Sequence, residues 1–127
     1  MPRRKAVFVV EDDPGMLKGL DRLLKVHGFS SRLFESVDDF NSRAKLQEAM
    51  CLVLDVNLNG ESGIELSRQL AICGISIPVI FITANDSDST RKAAMEVGCV
   101  AYLAKPFPAK SLMDAIEIAF GQFSPTH

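Results

Sequence analysis

Carboxylates follow directly on an apolar, β-branched run near the amino terminus, in the segment VFVVEDDPG. The run is typical of a buried strand, and adjacent carboxylates at its end repel one another unless a positive charge lies among them. Glu11, Asp12 and Asp13 are therefore either surface loop residues or part of a cation site. Polar residues also end three later apolar runs: Asp55, Thr83 and Lys105.

Phosphoryl transfer is the chemistry that these residue types could share. Neighbouring carboxylates suit Mg²⁺, which accepts one or two of them and keeps waters for a phosphate ligand. Asp55 is a candidate nucleophile, since aspartate can form an acyl phosphate, and Lys105 and Thr83 could contact the phosphoryl oxygens. Taken singly, each residue has an ordinary structural role in a turn, a helix cap or a solvated surface. Their convergence therefore decides the interpretation.

Alternating strand and helix segments would bring these residues together. Strands are predicted for 5–10, 30–34, 51–55, 77–83 and 100–104. The alternation predicts an α/β fold with an open, parallel, doubly wound sheet covered by helices on both faces. The more polar 30–34 suits an edge, and the ligand site of such a sheet lies outside the carboxyl ends of its strands.

Helix boundaries follow from capping residues and glycines. Ser36 is predicted to cap a helix that carries Phe40, Ala44 and Leu46, and Pro108 to lie in the first turn of the last helix. The helices between strands are predicted to stop at Gly28, Gly74 and Gly98. The helix over 87–97 has few apolar residues, so we expect it to be weakly anchored.

Length and composition favour one globular domain. The 127 residues are 47% hydrophobic and 24% charged with a net charge of −2, which excludes a disordered chain and offers no general attraction for nucleic acid. No membrane span or signal peptide is predicted, so we expect a cytoplasmic protein. The cysteines, Cys51, Cys73 and Cys99, lack zinc-ligand spacing and are predicted to be buried or half-buried apolar residues.

The sequence resembles the receiver domain of two-component response regulators from about Lys5 to about Phe120. The marks are an acidic pair, an aspartate with glycine eight residues later, Thr-Ala, and Lys-Pro with tyrosine three residues before the lysine: Asp12, Asp13, Asp55, Gly63, Thr83, Ala84, Tyr102, Lys105 and Pro106. The resemblance implies a flavodoxin-like (βα)5 fold with strand order 2-1-3-4-5. It also implies a single domain over 1–127, with 121–127 as a carboxyl-terminal tail.

The resemblance also implies roles for individual residues. Asp55 would accept a phosphoryl group from the phosphohistidine of a sensor histidine kinase. Mg²⁺ or Mn²⁺ would be bound by Asp12, Asp13, Asp55 and the backbone carbonyl of Asn57, with Asp13 the direct ligand and Asp12 acting partly through water. The phosphoryl group would be contacted by Thr83, Lys105 and the backbone of Ala84, and Lys105–Pro106 would be cis. Thr83 and Tyr102 would form the switch, and Asn57 and Asn85 would tune slow self-dephosphorylation.

The implied partners are a histidine kinase and either an output domain or a downstream protein. The face formed by the helix over 87–97, the last strand and the last helix would carry the output and is a possible phosphorylation-dependent dimer interface. The segments FIT and YLAKPF are similar to receivers that carry a helix-turn-helix output domain. The domain itself is expected to contact neither membrane nor nucleic acid.

Alternative functions on the same fold differ in the residues that they require. An aspartate-nucleophile phosphatase needs a second aspartate two residues after the first, where this chain has Asn57, so we expect a signalling module and not a turnover enzyme. A nucleotide-binding enzyme needs a glycine-rich turn in place of EDDPG. A docking module without phosphorylation remains open. Leu58-Asn59 replaces the family's common Met-Pro, and Asn59-Gly60 predicts a more flexible turn there.

Overall fold

A parallel sheet of five strands forms the centre of the computed structural model, which describes residues 5–123. The strands of this sheet are β1 (Ala6–Val10), β2 (Ser31–Phe34), β3 (Ala49–Asp55), β6 (Val79–Thr83) and β7 (Ala101–Ala104). Their order is β2-β1-β3-β6-β7, so the main strands follow the predicted order 2-1-3-4-5. Two short strands, β4 (Asn57–Leu58) and β5 (Glu61–Ser62), form a separate antiparallel hairpin.

Helices cover both faces of this sheet. They are α1 (Pro14–Val26), α2 (Val37–Arg43), α3 (Gly63–Ile72), α4 (Asp88–Val97) and α5 (Ala109–Phe123), with a 3₁₀ turn at Leu46–Glu48. One apolar cluster joins α1 and α5 to one face of the sheet, and a second joins α2, α3 and α4 to the other. The doubly wound α/β fold is confirmed.

Burial explains the order of the strands. β1, β3 and β6 are buried along their whole length, because helices cover both of their faces, and they read as continuous apolar runs. β2 is the more polar strand and lies at the edge, as predicted. Because all five strands are parallel, their carboxyl ends lie along one edge, where the polar residues collect.

Several boundaries differ from those predicted. Ser36 caps α2 by accepting the N–H of Asp39, but the helix ends at Arg43, and Leu46 begins the 3₁₀ turn that leads into β3. The chain must turn there because β3 begins at Ala49, two residues earlier than predicted. α5 continues to Phe123, so the first three residues of the predicted tail are helical, and 124–127 lie outside the described residues.

The cysteines follow the prediction in two cases of three. Cys51 is fully buried in β3, and this burial raises the pKa of its thiol to about 12. Cys99 is half-buried, and burial raises its thiol pKa as well. Cys73, at the end of α3, is exposed, so the prediction was wrong for this residue. No helix within residues 5–123 is long and apolar enough to cross a membrane.

Candidate phosphoryl-acceptor site

An open cleft of about 350 Å³ lies at the carboxyl ends of the strands. The loops after β1, β3, β6 and β7 all contribute to it, which is where a doubly wound sheet places its ligand site. Its lining residues include Glu11, Asp12, Asp55, Ala84 and Lys105. The structure therefore brings together residues that are far apart in the sequence, as predicted.

A group of three carboxylates forms the acidic part of the cleft. Glu11, Asp12 and Asp55 each offer an oxygen, and these oxygens lie within 4.8 Å of one another. Glu11 and Asp55 are buried and Asp12 is half-buried. Clustered carboxylate oxygens are the donor set that a hard divalent cation prefers, so the residues present fit Mg²⁺.

Asp13, the expected direct metal ligand, is not part of this group. Its Oδ1 accepts the N–H of Gly15 at 3.0 Å, and the residue is the exposed N-cap of α1 with Pro14 in the first helical position. Glu11 takes the inner place instead, with an exposed fraction of only 1%. The order Asp-Pro is itself an N-cap signal, so this capping role could have been predicted from the sequence alone.

Lys105 connects two of the three carboxylates. Its Nζ lies 2.8 Å from Oε1 of Glu11 and 2.8 Å from Oδ2 of Asp55. Burial alone would lower the lysine pKa, but the hydrogen bonds to Asp55 and Glu11 outweigh it and the pKa is raised. Burial raises the pKa of Glu11 to about 7, although Lys105 and the N–H of Asp13 oppose this shift. The lysine is thus the counter-charge of a crowded acidic site.

Asp55 is held on both carboxylate oxygens. Oδ2 accepts from Lys105, and Oδ1 accepts the backbone N–H of Asn57 at 2.9 Å. The residue is 5% exposed at the end of β3. Gly63 lies so close that a Cβ there would stand 2.1 Å from the carbonyl oxygen of Asp55. This close approach explains why glycine follows the aspartate eight residues later.

Thr83 ends β6 beside the cleft and is almost completely buried. Its Oγ1 accepts the N–H of Asn85 at 3.0 Å, and its carbonyl accepts the N–H of Lys105 at 2.7 Å. Ala84 and Asn85 line the cleft itself. The Lys105–Pro106 peptide bond is cis, as the resemblance implied.

Tyr102 does not line the cleft, and a hydrogen bond to the loop after β6 holds its side chain beside it. Its hydroxyl donates to Oδ1 of Asp86 at 3.0 Å, and Arg91 pairs with the other oxygen of Asp86 at 2.8 Å. The guanidinium of Arg91 also stacks 4.7 Å from the centre of the tyrosine ring. Burial and the bond to Asp86 raise the pKa of Tyr102. Sequence reasoning singled out Tyr102 but missed both of its partners.

The segment after Asp55, where a more flexible turn was expected, forms a tight hairpin. Asn57 pairs with Ser62 and Leu58 with Glu61, which leaves Asn59-Gly60 as a two-residue loop. Both loop residues have positive φ, 53° for Asn59 and 87° for Gly60, as a type I′ turn requires. The hairpin is attached to the site because the N–H of Asn59 donates to Oδ2 of Asp12 at 3.0 Å.

Comparisons with known proteins agree with this arrangement. The family model of the response regulator receiver domain matches residues 7–117. Nodulation protein W of Bradyrhizobium diazoefficiens is 39% identical over 89% of this chain, and the response regulator protein TodT of Pseudomonas putida is 32% identical over 92%. The chain spans about half the length of these curated relatives, 50% and 52% respectively.

Solved structures show the same architecture. The response regulator StyR is 38% identical and superimposes with a TM-score of 0.86 over 94% of this chain and 60% of its own. FixJ-N is 29% identical, with a TM-score of 0.86 over 98% of this chain and all of its own. The chain therefore belongs to the response regulator receiver domain family.

Proposed function

We propose that this domain is a phosphorelay receiver and that Asp55 is its phosphoacceptor. A carboxylate oxygen of Asp55 would attack the phosphorus of a kinase phosphohistidine. The P–N bond breaks, the imidazole keeps the electron pair, and an acyl phosphate forms. The observation that carries the proposal is the position of Asp55, which is nearly buried at a strand end with Lys105 at 2.8 Å and two further carboxylates beside it.

The metal ligands in this proposal are Asp12, Asp55 and the backbone carbonyl of Asn57, with Glu11 completing the acidic cluster. The three clustered carboxylates support this assignment, and Asn57 lines the same cleft. When bound, Mg²⁺ or Mn²⁺ supplies positive charge that offsets the repulsion between the carboxylates and the phosphoryl oxygens. Glu11 holds Lys105 by its Oε1, so that the lysine stays at the site.

Lys105, Thr83 and the backbone N–H of Ala84 would bind the phosphoryl oxygens. Lys105 already contacts Asp55, and its charge is suited to a group with several anionic oxygens. Thr83 and Ala84 border the same acceptor on the loop after β6. The hydroxyl of Thr83 would give up its contact with the N–H of Asn85 and donate to the phosphoryl group.

The movement of Thr83 and Tyr102 would then constitute the switch. The loop between Thr83 and α4 begins at Ala84, and α4 buries only one residue, Ala94. An element with so little buried surface is easily displaced. We therefore place the output surface on α4, β7 and α5, where an output domain, a downstream protein or a second copy of the chain would bind.

The acyl phosphate is expected to persist long enough to signal. Asn57 stands two residues after Asp55, where it cannot act as a general acid or base. We assign to Asn57 and Asn85 the tuning of slow self-dephosphorylation, since both line the cleft. Asn57 disfavours the phosphatase alternative, and the acidic segment EDDPG disfavours the nucleotide-binding alternative. A docking module without phosphorylation is distinguished from a receiver by measuring phosphoryl uptake.

The whole protein's partners follow from the family as proposals. We propose a cognate sensor histidine kinase as phosphodonor, a cytoplasmic location, and an output domain of the helix-turn-helix type. The transcriptional regulatory protein CreB of Escherichia coli, 34% identical to this chain, is a relative whose name indicates transcriptional regulation.

Intact-mass measurement after incubation with acetyl phosphate tests the proposal. The wild-type chain should gain one phosphoryl group only when Mg²⁺ is present, and Asp55→Asn should gain none. Asp13→Asn is the matched control, because asparagine is an equally good N-cap and Asp13 lies outside the acidic cluster. Equal uptake by Asp55→Asn would move the phosphoacceptor to another residue and refute the role of Asp55. No uptake by the wild type would leave the docking module as the better interpretation.

A further inference from the structure

The hairpin of β4 and β5 contacts two of the three carboxylates through its backbone. The N–H of Asn59 donates to Oδ2 of Asp12 at 3.0 Å, and the N–H of Asn57 donates to Oδ1 of Asp55 at 2.9 Å. The N–H of Asn59 is not needed by the ladder, since Leu58 pairs with Glu61. One face of the acidic site is thus formed by backbone donors of the hairpin.

Both ends of the hairpin are anchored to the rest of the domain. Leu58 is 1% exposed and belongs to the apolar cluster under α2, α3 and α4. Ser62 caps α3 by accepting the N–H of Glu65 at 3.1 Å, and Gly63 packs against the backbone of Asp55. Such anchoring makes the Asn59 N–H a fixed donor.

The turn type determines where that donor points. Asn59 has φ 53° and Gly60 has φ 87°, and Asn-Gly is the preferred pair for a type I′ turn because asparagine and glycine tolerate the left-handed region. The side chain of Asn57 adds a further tie, since its Oδ1 accepts the N–H of Gly60 at 3.2 Å. A residue at position 59 that disfavours positive φ would change both the turn and the contact with Asp12.

We propose that Asn59 and Gly60 are positioning residues for divalent-cation binding, acting through the hydrogen bond from Asn59 to Asp12. This inference rests on the proposed metal site. A hydrogen bond to one oxygen of a ligating carboxylate restricts its orientation, and loss of such a supporting partner typically weakens metal binding by about 10–100-fold. The Asn-Gly turn therefore supplies a rigid support at the point where the family commonly has proline.

Three substitutions of Asn59 separate the turn from the hydrogen bond. Asn59→Gly is the conservative variant, because glycine adopts positive φ and keeps the N–H. Asn59→Ala keeps the N–H but disfavours positive φ. Asn59→Pro removes the N–H and cannot adopt the φ of this position. Mg²⁺ affinity is measured by isothermal titration calorimetry, and urea unfolding in EDTA reports whether each variant is folded.

The Kd for Mg²⁺ should rise in the order Gly, Ala, Pro, with Asn59→Gly within about twofold of wild type and Asn59→Pro at least about tenfold weaker. Equal Kd values for the glycine and proline variants, both folded, would overturn the inference. If Asn59→Pro does not fold, the alanine variant decides in the same way, since an affinity equal to that of the glycine variant overturns the inference. Failure of the metal site itself is distinct, because wild type would then bind no Mg²⁺.

Discussion

Replacing Lys105 by methionine tests whether this lysine is the counter-charge of the acidic site. Methionine keeps much of the length of the side chain and removes the charge. The wild-type Nζ lies 2.8 Å from both Glu11 and Asp55, whose side chains are 1% and 7% exposed. The variant therefore leaves two carboxylates in the protein interior without their cation.

The expected loss of stability is large. Removing one partner of a buried ion pair costs about 3–5 kcal/mol, because the remaining charge stays buried and unpaired. Glu11 reduces this cost by taking up a proton, since its pKa is already about 7 in the wild type. We therefore expect a loss near the lower limit, about 3 kcal/mol at pH 7, which lowers the urea midpoint by about 1–3 M.

Urea unfolding followed by circular dichroism in EDTA measures this loss. Lys110→Met is the matched control, because Lys110 forms an exposed pair with Asp114 and its removal should leave the midpoint close to wild type. The difference between Lys105→Met and wild type should increase from pH 5.5 to pH 8, as Glu11 loses its proton. Mg²⁺ should raise the midpoint more in the variant than in wild type, because the bound cation replaces the missing charge. An unchanged midpoint in EDTA at pH 8 would refute this account of Lys105.

Three further predictions concern the surroundings of the site. The wild-type free energy of unfolding in EDTA should fall as the pH rises from about 4.5 to about 7. Burial raises the pKa of Glu11 to about 7, so the folded state holds the proton more tightly than the unfolded chain. Glu11→Gln should flatten this pH dependence in urea titrations across that range. Gly63→Ala should destabilise the domain by about 1–3 kcal/mol and slow phosphoryl uptake, since its Cβ would stand 2.1 Å from the Asp55 carbonyl oxygen. Gly19→Ala should not destabilise it, as thermal unfolding can verify, because a Cβ there would meet nothing within 4 Å beyond its chain neighbours and its own helix backbone. Tyr102→Phe should speed hydrogen–deuterium exchange in the loop after β6, because the hydrogen bond to Asp86 is lost. Unchanged exchange would show that this hydrogen bond does not hold the loop.

The fold was predictable because its determinants are local and repeated. Continuous apolar runs mark β1, β3 and β6, which are buried along their whole length, and the polar run marks the edge strand β2. Boundaries depend more on tertiary packing. Leu46 keeps its apolar contact in a 3₁₀ turn and not in the predicted helix, because the chain has to enter β3 at Ala49.

The site was predictable except where three acids stand in a row. The segment EDD contains two possible acidic pairs, and the first pair, Glu11 and Asp12, belongs to the group of three carboxylates. Asn59-Gly60 carried a strong hairpin signal, but its contact with Asp12 depends on how the hairpin packs across the sheet edge. Likewise, the two hydrogen bonds that Lys105 donates to Glu11 and Asp55 depend on the relative positions of β1, β3 and β7, which no local pattern specifies.

The loop after β6 links the proposed acceptor site to the proposed output surface over a very short distance in sequence. Thr83 is buried beside Asp55, whereas Asp86, three residues later, is held outside the cleft by Tyr102 and Arg91. Residues so close along the chain cannot move independently, so a displacement of Thr83 toward a phosphoryl group must strain or break the contacts of Asp86. Because Arg91 belongs to α4, and α4 has only Ala94 buried, we expect that strain to be relieved by movement of the helix and not by the sheet.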